Sequence, residues 1–599
     1  MNTTLAGLAQ LGALVAILAV AYVPLGDHMA RVYNGERDLW VERVLYRMAR
    51  VDPRRQQTWV GYALAVLGFS LVSFIVLFLW QRLQGVLPWS DGKPGVAPSM
   101  AFNTAISFVS NTNWQSFSPE VVMSNLTQMV GLAVQNFVSA AVGMAVAIAV
   151  IRGIVNRRAN GEIGNFWVDL VRGVTRILLP LSLVVATLLI TQGVVQSWRT
   201  GFDWTTLDGA DARSMVGPFA SQEAIKELGT NGGGTLSANS AHPFSNPTPF
   251  SNLLEIVALL LIPVCLTRTY GTLVADRRQG LTLLGVMAAI WSILLTLVWT
   301  FESRTGGIAS EAAGAMMEGK EVRLGIPGSV LFAVSTTGTS TGAVNSAHDS
   351  FSAGGGGVLL WNMLLGEVAP GGVGSGLYGI LVLAIITVFI GGLLVGRSPT
   401  FLGKRIGQHE ITVAALYVLV MPSLVLAGTG ISVILGSTTT AQGNSGDPGS
   451  PGAIHGFGEV LYAYASAANN NGSAFGGLTV TSDWFQASLG VAMLLGRFLP
   501  IVLVLALAGL LARQTPRGIG GSATAGGDGA AIGEPAGVAV HTASTAVLTA
   551  PADAEQDSRS ALPTHGFLYG SLLAATILLV AGLTFFPAMA LGPIAEALL

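Results

Sequence analysis

Charge is what this chain has least of: only 10% of its 599 residues are Asp, Glu, Lys or Arg, against about 25% in an ordinary soluble domain. That scarcity excludes a solvated globular protein, and a hydrophobic share of 51% places the chain in a membrane. A net charge of only -2 gives no basic field for a nucleic-acid partner. One cysteine, Cys265, excludes an intrachain disulfide and a multi-cysteine metal site, and its apolar surroundings predict packing. Nucleotide signatures are missing too. Lys93, Lys320 and Lys404 each follow a glycine but none precedes Ser or Thr, so there is no G-x-x-x-x-G-K-[ST] run, and no D-K-T-G phosphorylation loop occurs. The chain is read as carrying no catalytic site and no cofactor.

Ten apolar runs remain, each near the 20 residues a helix needs to cross a bilayer. They are Leu5 to Val23, Trp59 to Trp80, Met129 to Ile151, Ile177 to Val195, Leu253 to Leu266, Leu281 to Phe301, Val358 to Val395, Ile411 to Leu435, Ala487 to Leu511 and Phe567 to Ala588. The first is read as a retained span because "MNTT" supplies no basic leader and the basic block follows the run. Basic residues test the count. Arg31, Arg37, Arg43, Arg47, Arg50, Arg54 and Arg55 fall in 24–58, and Arg152, Arg157, Arg158, Arg172 and Arg176 in 152–176. Arg268, Arg277 and Arg278 lie in 267–280, Arg397, Lys404 and Arg405 in 396–410, and Arg513, Arg517 and Arg559 in 512–566. These 21 of the 30 basic residues share one side if the spans alternate. That side is predicted to be the cytoplasm, with both termini outside.

The loops on the other side are long and rich in Gly, Ser and Asn: 81–128, 196–252, 302–357 and 436–486. Each holds a short apolar piece followed by a turn of small residues: "SMAFNTAISFVSNTNWQSF", "SQEAIKELGTNGGGTLSANSAH", "GSVLFAVSTTGTSTGAVNSAH" and "GEVLYAYASAANNNGSAFGG". Two carry "NSAH", at Asn239–His242 and Asn345–His348. The pattern is a fourfold repeat of span, re-entrant loop and span. An all-α integral membrane fold follows, with ten transmembrane helices, four channel-like repeats and two additional helices. Its predicted divisions are a first span with a basic loop (1–58), repeats at 59–151, 152–268, 269–396 and 397–511, a linker at 512–565 and a final span at 566–599.

Irregular backbone at membrane depth is tolerated only where protein buries it or a watery cavity meets it. Four re-entrant turns therefore imply a central pore, with the negative end of a short helix aimed at it from each quarter. Glycines such as Gly232, Gly233, Gly338, Gly342 and Gly472 allow left-handed backbone and can turn carbonyls toward one axis. Rings of carbonyls replace the hydration shell of a monovalent cation. With no acidic ring in the turns, a calcium or magnesium site is disfavoured.

Particular motifs carry a resemblance: "NTNWQSF" at 111–117, "TNGGG" at 230–234, "NSAHPFSNPTPF" after it, "GAVNSAHDSF" at 342–351, "GEVAPGGVGSGLYG" at 366–379, "ANNNGSAF" at 468–475 and "LPTHG" at 562–566. Over nearly its whole length the chain resembles the potassium-translocating A subunits of Kdp-type potassium-importing P-type ATPases, in the superfamily of transporters with four channel-like repeats. The resemblance implies K+ as transported ligand and a filter at Asn111, Thr112, Asn113, Thr230, Asn231, Gly232, Thr341, Gly342, Asn470, Asn471 and Gly472. Gln115 falls where the family has a glutamine that tunes selectivity. In "STTGTSTGA" the tightest point is left open between Gly338 and Gly342. Implied partners are a P-type ATPase catalytic subunit, a small accessory subunit and a single-span peptide.

Charges inside apolar runs are expensive and read as functional. Arg497 lies mid-span, and the resemblance implies a fixed positive charge below the filter. Glu367 lies at a Gly-rich break in the seventh run, where a broken helix beside a pore suggests a gate or ion path; its alternative role is a structural acid bonded to the freed backbone amides. Arg397 either takes part in coupling or obeys the positive-inside rule. Gln128, Gln135 and Asn136 face the pore or bond between helices. The stretch Ala512 to Leu562, rich in Ala, Gly, Ser and Thr, reads as a disordered cytoplasmic linker. Two other functions stay open: a self-sufficient potassium channel or cation symporter of the same superfamily, and an intramembrane enzyme using His348 and Asp349, a pair otherwise read as a loop anchor.

Overall fold

The computed structural model describes residues 3–306, 311, 314–439, 441–443, 451–515 and 563–598. The predicted linker at 512–565 lies, apart from its ends, outside the described residues. Among the described residues ten helices are long and apolar enough to cross a membrane, and each overlaps one of the ten predicted runs. The chain is a multi-pass helical membrane protein.

In chain order the helices that build the pore region are α1 (Thr3–Asn34), α2 (Trp59–Leu83), α3 (Pro98–Val109), α4 (Thr127–Val155), α5 (Phe166–Thr191), α6 (Phe219–Leu228) and α7 (Pro249–Leu273). They continue as α8 (Arg277–Glu302), α9 (Gly325–Gly338), α10 (Ala353–Leu364), α11 (Ser375–Leu394), α12 (Gln408–Ile434), α13 (Pro451–Asn469), α14 (Asp483–Ala512) and α15 (Phe567–Leu598). Four of these, α3, α6, α9 and α13, are short helices that each follow one span and precede another. Each is followed by one of the four turns singled out above.

Burial sorts the spans. In α4 and α7 83% of the apolar window is buried, whereas in α1 only 6% is. The inner pair therefore lines the centre and the outer span offers its apolar side chains to lipid. Polar contacts still tie α1 in: Arg268 on α7 bonds Asp27 at 2.8 and 2.9 Å, and Gly26 lies against the Arg268 stem. Cys265 is buried beneath the same contact, as a packing thiol should be.

Two features differ from expectation. The fourth span starts at Phe166, eleven residues before the predicted Ile177, because Asn165 caps it by accepting from Trp167 and Val168 amides and two arginines on its first turns are paired with acids. The loop 196–252 also holds an antiparallel hairpin, β1 (Gly201–Thr205) with β2 (Asp211–Met215). Asp208 and Gly209, the latter at φ 85°, make its turn.

Candidate functional site

Every short helix ends in the same way. The middle residue of each turn donates its backbone N–H to the carbonyl five residues earlier: Thr112 to Ser107, Asn231 to Lys226, Thr341 to Thr336 and Asn471 to Ser466, at 2.8 to 3.1 Å. The residue before it takes left-handed backbone: Asn111 (φ 68°), Thr230 (46°), Ser340 (52°) and Asn470 (60°). This is the Schellman closure, in which a left-handed residue ends the helix and the next amide reaches back to an orphan carbonyl. Its repetition aligns the four turns as Asn111-Thr112-Asn113, Thr230-Asn231-Gly232, Ser340-Thr341-Gly342 and Asn470-Asn471-Gly472. Ser340 was missing from the residues singled out in the sequence. The signal was its place, two residues before the glycine that matches Gly232 and Gly472.

The third position of each turn meets its neighbours around a closed ring. A Cβ on Gly232 would lie 2.5 Å from the Gly342 nitrogen, and one on Gly342 would lie 2.7 Å from the Gly472 backbone. A Cβ on Gly472 would run into the Thr112 carbonyl, and one on Gly233 would come within 3.3 Å of Asn113. Gly342 therefore holds the close approach. Gly338 instead ends α9, where its carbonyl accepts from Gly371 at 2.7 Å.

Asparagine side chains brace this ring. Asn111 Nδ2 donates to the Thr230 carbonyl at 2.9 Å, and Asn470 Nδ2 to Thr112 Oγ1 at 3.0 Å. The amides of Asn111 and Asn231 meet beside the Ser139 hydroxyl. Asn113 Nδ2 donates to Asn136 Oδ1 at 2.7 Å, so Asn136 bonds between elements. Asn471 Nδ2 reaches Glu367 Oε1 at 2.8 Å and the Thr336 carbonyl at 3.1 Å. Gln115 Nε2 bonds the Gly234 carbonyl at 3.1 Å. These side chains brace the turns, and each turn follows the C-terminal, partly negative end of its helix. Such an arrangement suits a dehydrated monovalent cation.

Beside the ring lies a cavity of about 110 Å³ lined by Ser340, Glu367, Tyr378, Tyr417, Asn470 and Arg497. Arg497 is buried on α14 beside Gly143 of α4, which leaves room for the guanidinium. Between α10 and α11 the chain breaks at 365–374, with Gly366, Glu367, Gly371 and Gly374 all at positive φ. Two of the freed amides are satisfied by others: Gly371 N–H by the Gly338 carbonyl and Val373 N–H by Thr230 Oγ1 at 2.9 Å. Glu367 is therefore not the acid that holds those amides; its carboxylate bonds the fourth turn. Arg397 is exposed beyond the end of α11, and it is not among the residues lining the cavity.

The His348 and Asp349 pair anchors a loop. His348 Nδ1 pairs with Tyr462 Oη at 2.9 Å, while Asp349 bonds His455 and the Gly477 amide, both at 2.9 Å. The two "NSAH" stretches do different work: Asn239 bonds Gly233, whereas Asn345 bonds Asn252.

Fold and site together define a helical membrane protein in which four equivalent re-entrant turns close one ring. The family model described as "Potassium-transporting ATPase A subunit" matches residues 12–523 and 543–598, and the chain belongs to that family. Similar proteins include those of Rhodococcus erythropolis and Nocardia farcinica, each 64% identical with both chains fully covered. That of Streptomyces coelicolor is 51% identical, again over the whole of both. All three are named "Potassium-transporting ATPase potassium-binding subunit". Among solved structures, the potassium transporter TrkH from Vibrio parahaemolyticus matches with a TM-score of 0.47 and 14% identity, covering 84% of this chain and 97% of its own.

Proposed function

We propose that the chain is the potassium-binding and translocating subunit of an ATP-driven importer, selecting K+ with carbonyls of the four turns and passing it to an ATPase partner. The observation that carries this reading is the closed ring Gly232, Gly342, Gly472 and Thr112–Asn113, with one Schellman-closed helix behind each quarter. Family membership, and the name its relatives bear, support potassium as the ion and an ATPase complex as the setting. The small accessory subunit and single-span peptide belong to the same proposal.

Downstream of the ring, Arg497 places a positive charge beside the cavity. A cation leaving the filter is repelled from the straight route and turned toward the break at 365–374, where Glu367 lies. A plain channel imports potassium only down its electrochemical gradient, whose electrical part is about 2.3 kcal/mol per charge per 100 mV. Uptake against that limit needs the ATPase. Both termini face outward in this reading, so cysteines placed at Arg55 and Arg277 are shielded from an impermeant thiol reagent in intact cells while one at Asp211 reacts.

The test is potassium uptake by this chain expressed with and without the ATPase subunit. Concentrative uptake that needs both chains and ATP is expected. Rapid conduction by the chain alone, unaffected by the partner, would replace the pump subunit with a channel.

A further inference from the structure

Lys226 is the least expected side chain behind the ring, because it is a lysine with no exposed surface on α6. A buried ammonium is strongly disfavoured unless paired. Its Nζ lies 2.6 Å from Glu223 Oε2 and 3.7 Å from Glu227 Oε1, so two carboxylates compensate it. Among the described residues, the other side-chain partner the two carboxylates share is the Ser240 hydroxyl, outside the four turns. The lysine itself must be there for another reason.

The fourfold alignment supplies one. Five residues before the middle of each turn stand Ser107, Lys226, Thr336 and Ser466. In three quarters the hydroxyl bonds the filter strand directly: Ser107 Oγ donates to the Trp114 carbonyl at 3.0 Å, Thr336 Oγ1 to the Ala343 carbonyl at 2.6 Å, and Ser466 Oγ accepts from Gly472 N–H at 2.9 Å. The carbonyl that corresponds to Trp114 and Ala343 in the second quarter is Gly233. Lys226 does not bond it directly. Instead Nζ donates to Asn239 Oδ1 at 2.8 Å, and Asn239 Nδ2 donates to the Gly233 carbonyl at 2.5 Å. The same Asn239 oxygen accepts from Val344 N–H at 3.2 Å, which fastens the second strand to the third.

Resting on the reading of the turns as a potassium filter, we propose that Lys226 is a positioning residue for ion selectivity. Through Asn239 it fixes the Gly233 carbonyl and locks the second filter strand against the third. Its charge orients the Asn239 amide, with oxygen toward the ammonium and nitrogen toward the carbonyl. A neutral side chain in its place removes the one charged donor of the three that hold the Asn239 oxygen, the others being the Val344 and Ser240 amides, and so loosens that amide. Discrimination between K+ and Na+ depends on the number and placement of the coordinating carbonyls, so loosening one of them lowers preference before it lowers transport.

The experiment is potassium uptake against rising sodium, in cells carrying the whole transport complex, with assembly checked by co-purification. Lys226→Met and Asn239→Ala are each expected to lower the K+ over Na+ preference roughly tenfold, the size of the one buried hydrogen bond by which the relay holds the Gly233 carbonyl. Their combination should be no worse than either alone, since both cut one relay. Lys226→Arg should restore most of the preference. Glu255→Gln, which removes a buried carboxylate of α7 near Glu223 and Glu227 without cutting the relay, should stay within about twofold of wild type. Unchanged preference in Asn239→Ala overturns the proposal, and that variant decides the matter if Lys226→Met fails to assemble. An equal loss in Glu255→Gln also overturns it, since any disturbance of the buried charges would then suffice. Gly232→Asp run in parallel separates the two readings: if it keeps full preference, the filter assignment itself is wrong.

Discussion

The ring and the break beside it use backbone in opposite ways. Four times over, the ring repeats one closure with different residues at the same place, Asn, Thr, Ser and Asn taking the left-handed position. Among the described residues the break at 365–374 belongs to the third quarter alone, and there the helix opens instead of closing. A ligand that is coordinated equally from all sides needs the repeated part. Direction needs the part that breaks the symmetry, and Glu367 and Arg497 both line the cavity there.

The comparison breaks most sharply at Gly232. Asp at this position must adopt φ 95° and place its Cβ within 2.5 Å of the Gly342 nitrogen, a strain of about 3 kcal/mol or more. Expected is a loss of roughly 100-fold or more in potassium affinity, or no transport at all, read by uptake with sodium as competitor. Wild-type preference in this variant would detach selectivity from the ring.

Arg497→Met tests the asymmetric part. Two unit charges about 8 Å apart, at an effective dielectric of about 20, interact by about 2 kcal/mol, which sets the scale of the expected leak at roughly thirtyfold. Uptake should then run with less ATP hydrolysed per ion, or fail while the complex still assembles. Unchanged coupling in a purified, reconstituted complex would assign Arg497 to packing.

Gln115→Arg sharpens the distinction between rim and ring. It removes the bond to the Gly234 carbonyl and adds positive charge at the entrance. About 1 kcal/mol from each source gives a rise of roughly tenfold to thirtyfold in the potassium concentration for half-maximal uptake. The K+ over Na+ preference should move less than in Gly232→Asp.

The smallest effect lies outside the ring. His455 bonds Asp349 and Glu596 at 2.9 and 2.8 Å, joining the third loop to α13 and α15. Burial works against its charge, but the hydrogen bonds to the two carboxylates outweigh it and raise the imidazole to about 10 from an ordinary 6.5. A raised value means stabilisation fully present below about 6.5 and lost as pH climbs through about 10. Thermal stability of the detergent-purified complex should therefore fall by about 1 kcal/mol over that window, and His455→Gln should flatten the fall. A flat wild-type profile would deny the clasp.

Much of the repeated part was legible in the sequence because apolar length and the basic residues of the connecting loops set the spans, and glycines marked three of the turns. Ser340 was not legible, since serine is a poor predictor of left-handed backbone and the Gly338 four residues upstream of Gly342 offered a rival register. The bracing role of Asn111, Asn470 and Asn471 was hidden for another reason. Their partners lie up to 358 positions away, and only the folded ring brings them together. The hairpin at β1 and β2 had a visible signal in Asp208-Gly209, lost among the many glycines of that loop.

The most direct test of the filter is to see the ion. Rubidium, a heavy potassium analogue, should give anomalous difference density on the axis enclosed by the backbone of Asn111–Asn113, Thr230–Gly232, Ser340–Gly342 and Asn470–Gly472. That density should weaken when potassium competes and persist when sodium does. Strong rubidium density elsewhere in the protein, with none inside this ring, would contradict the account.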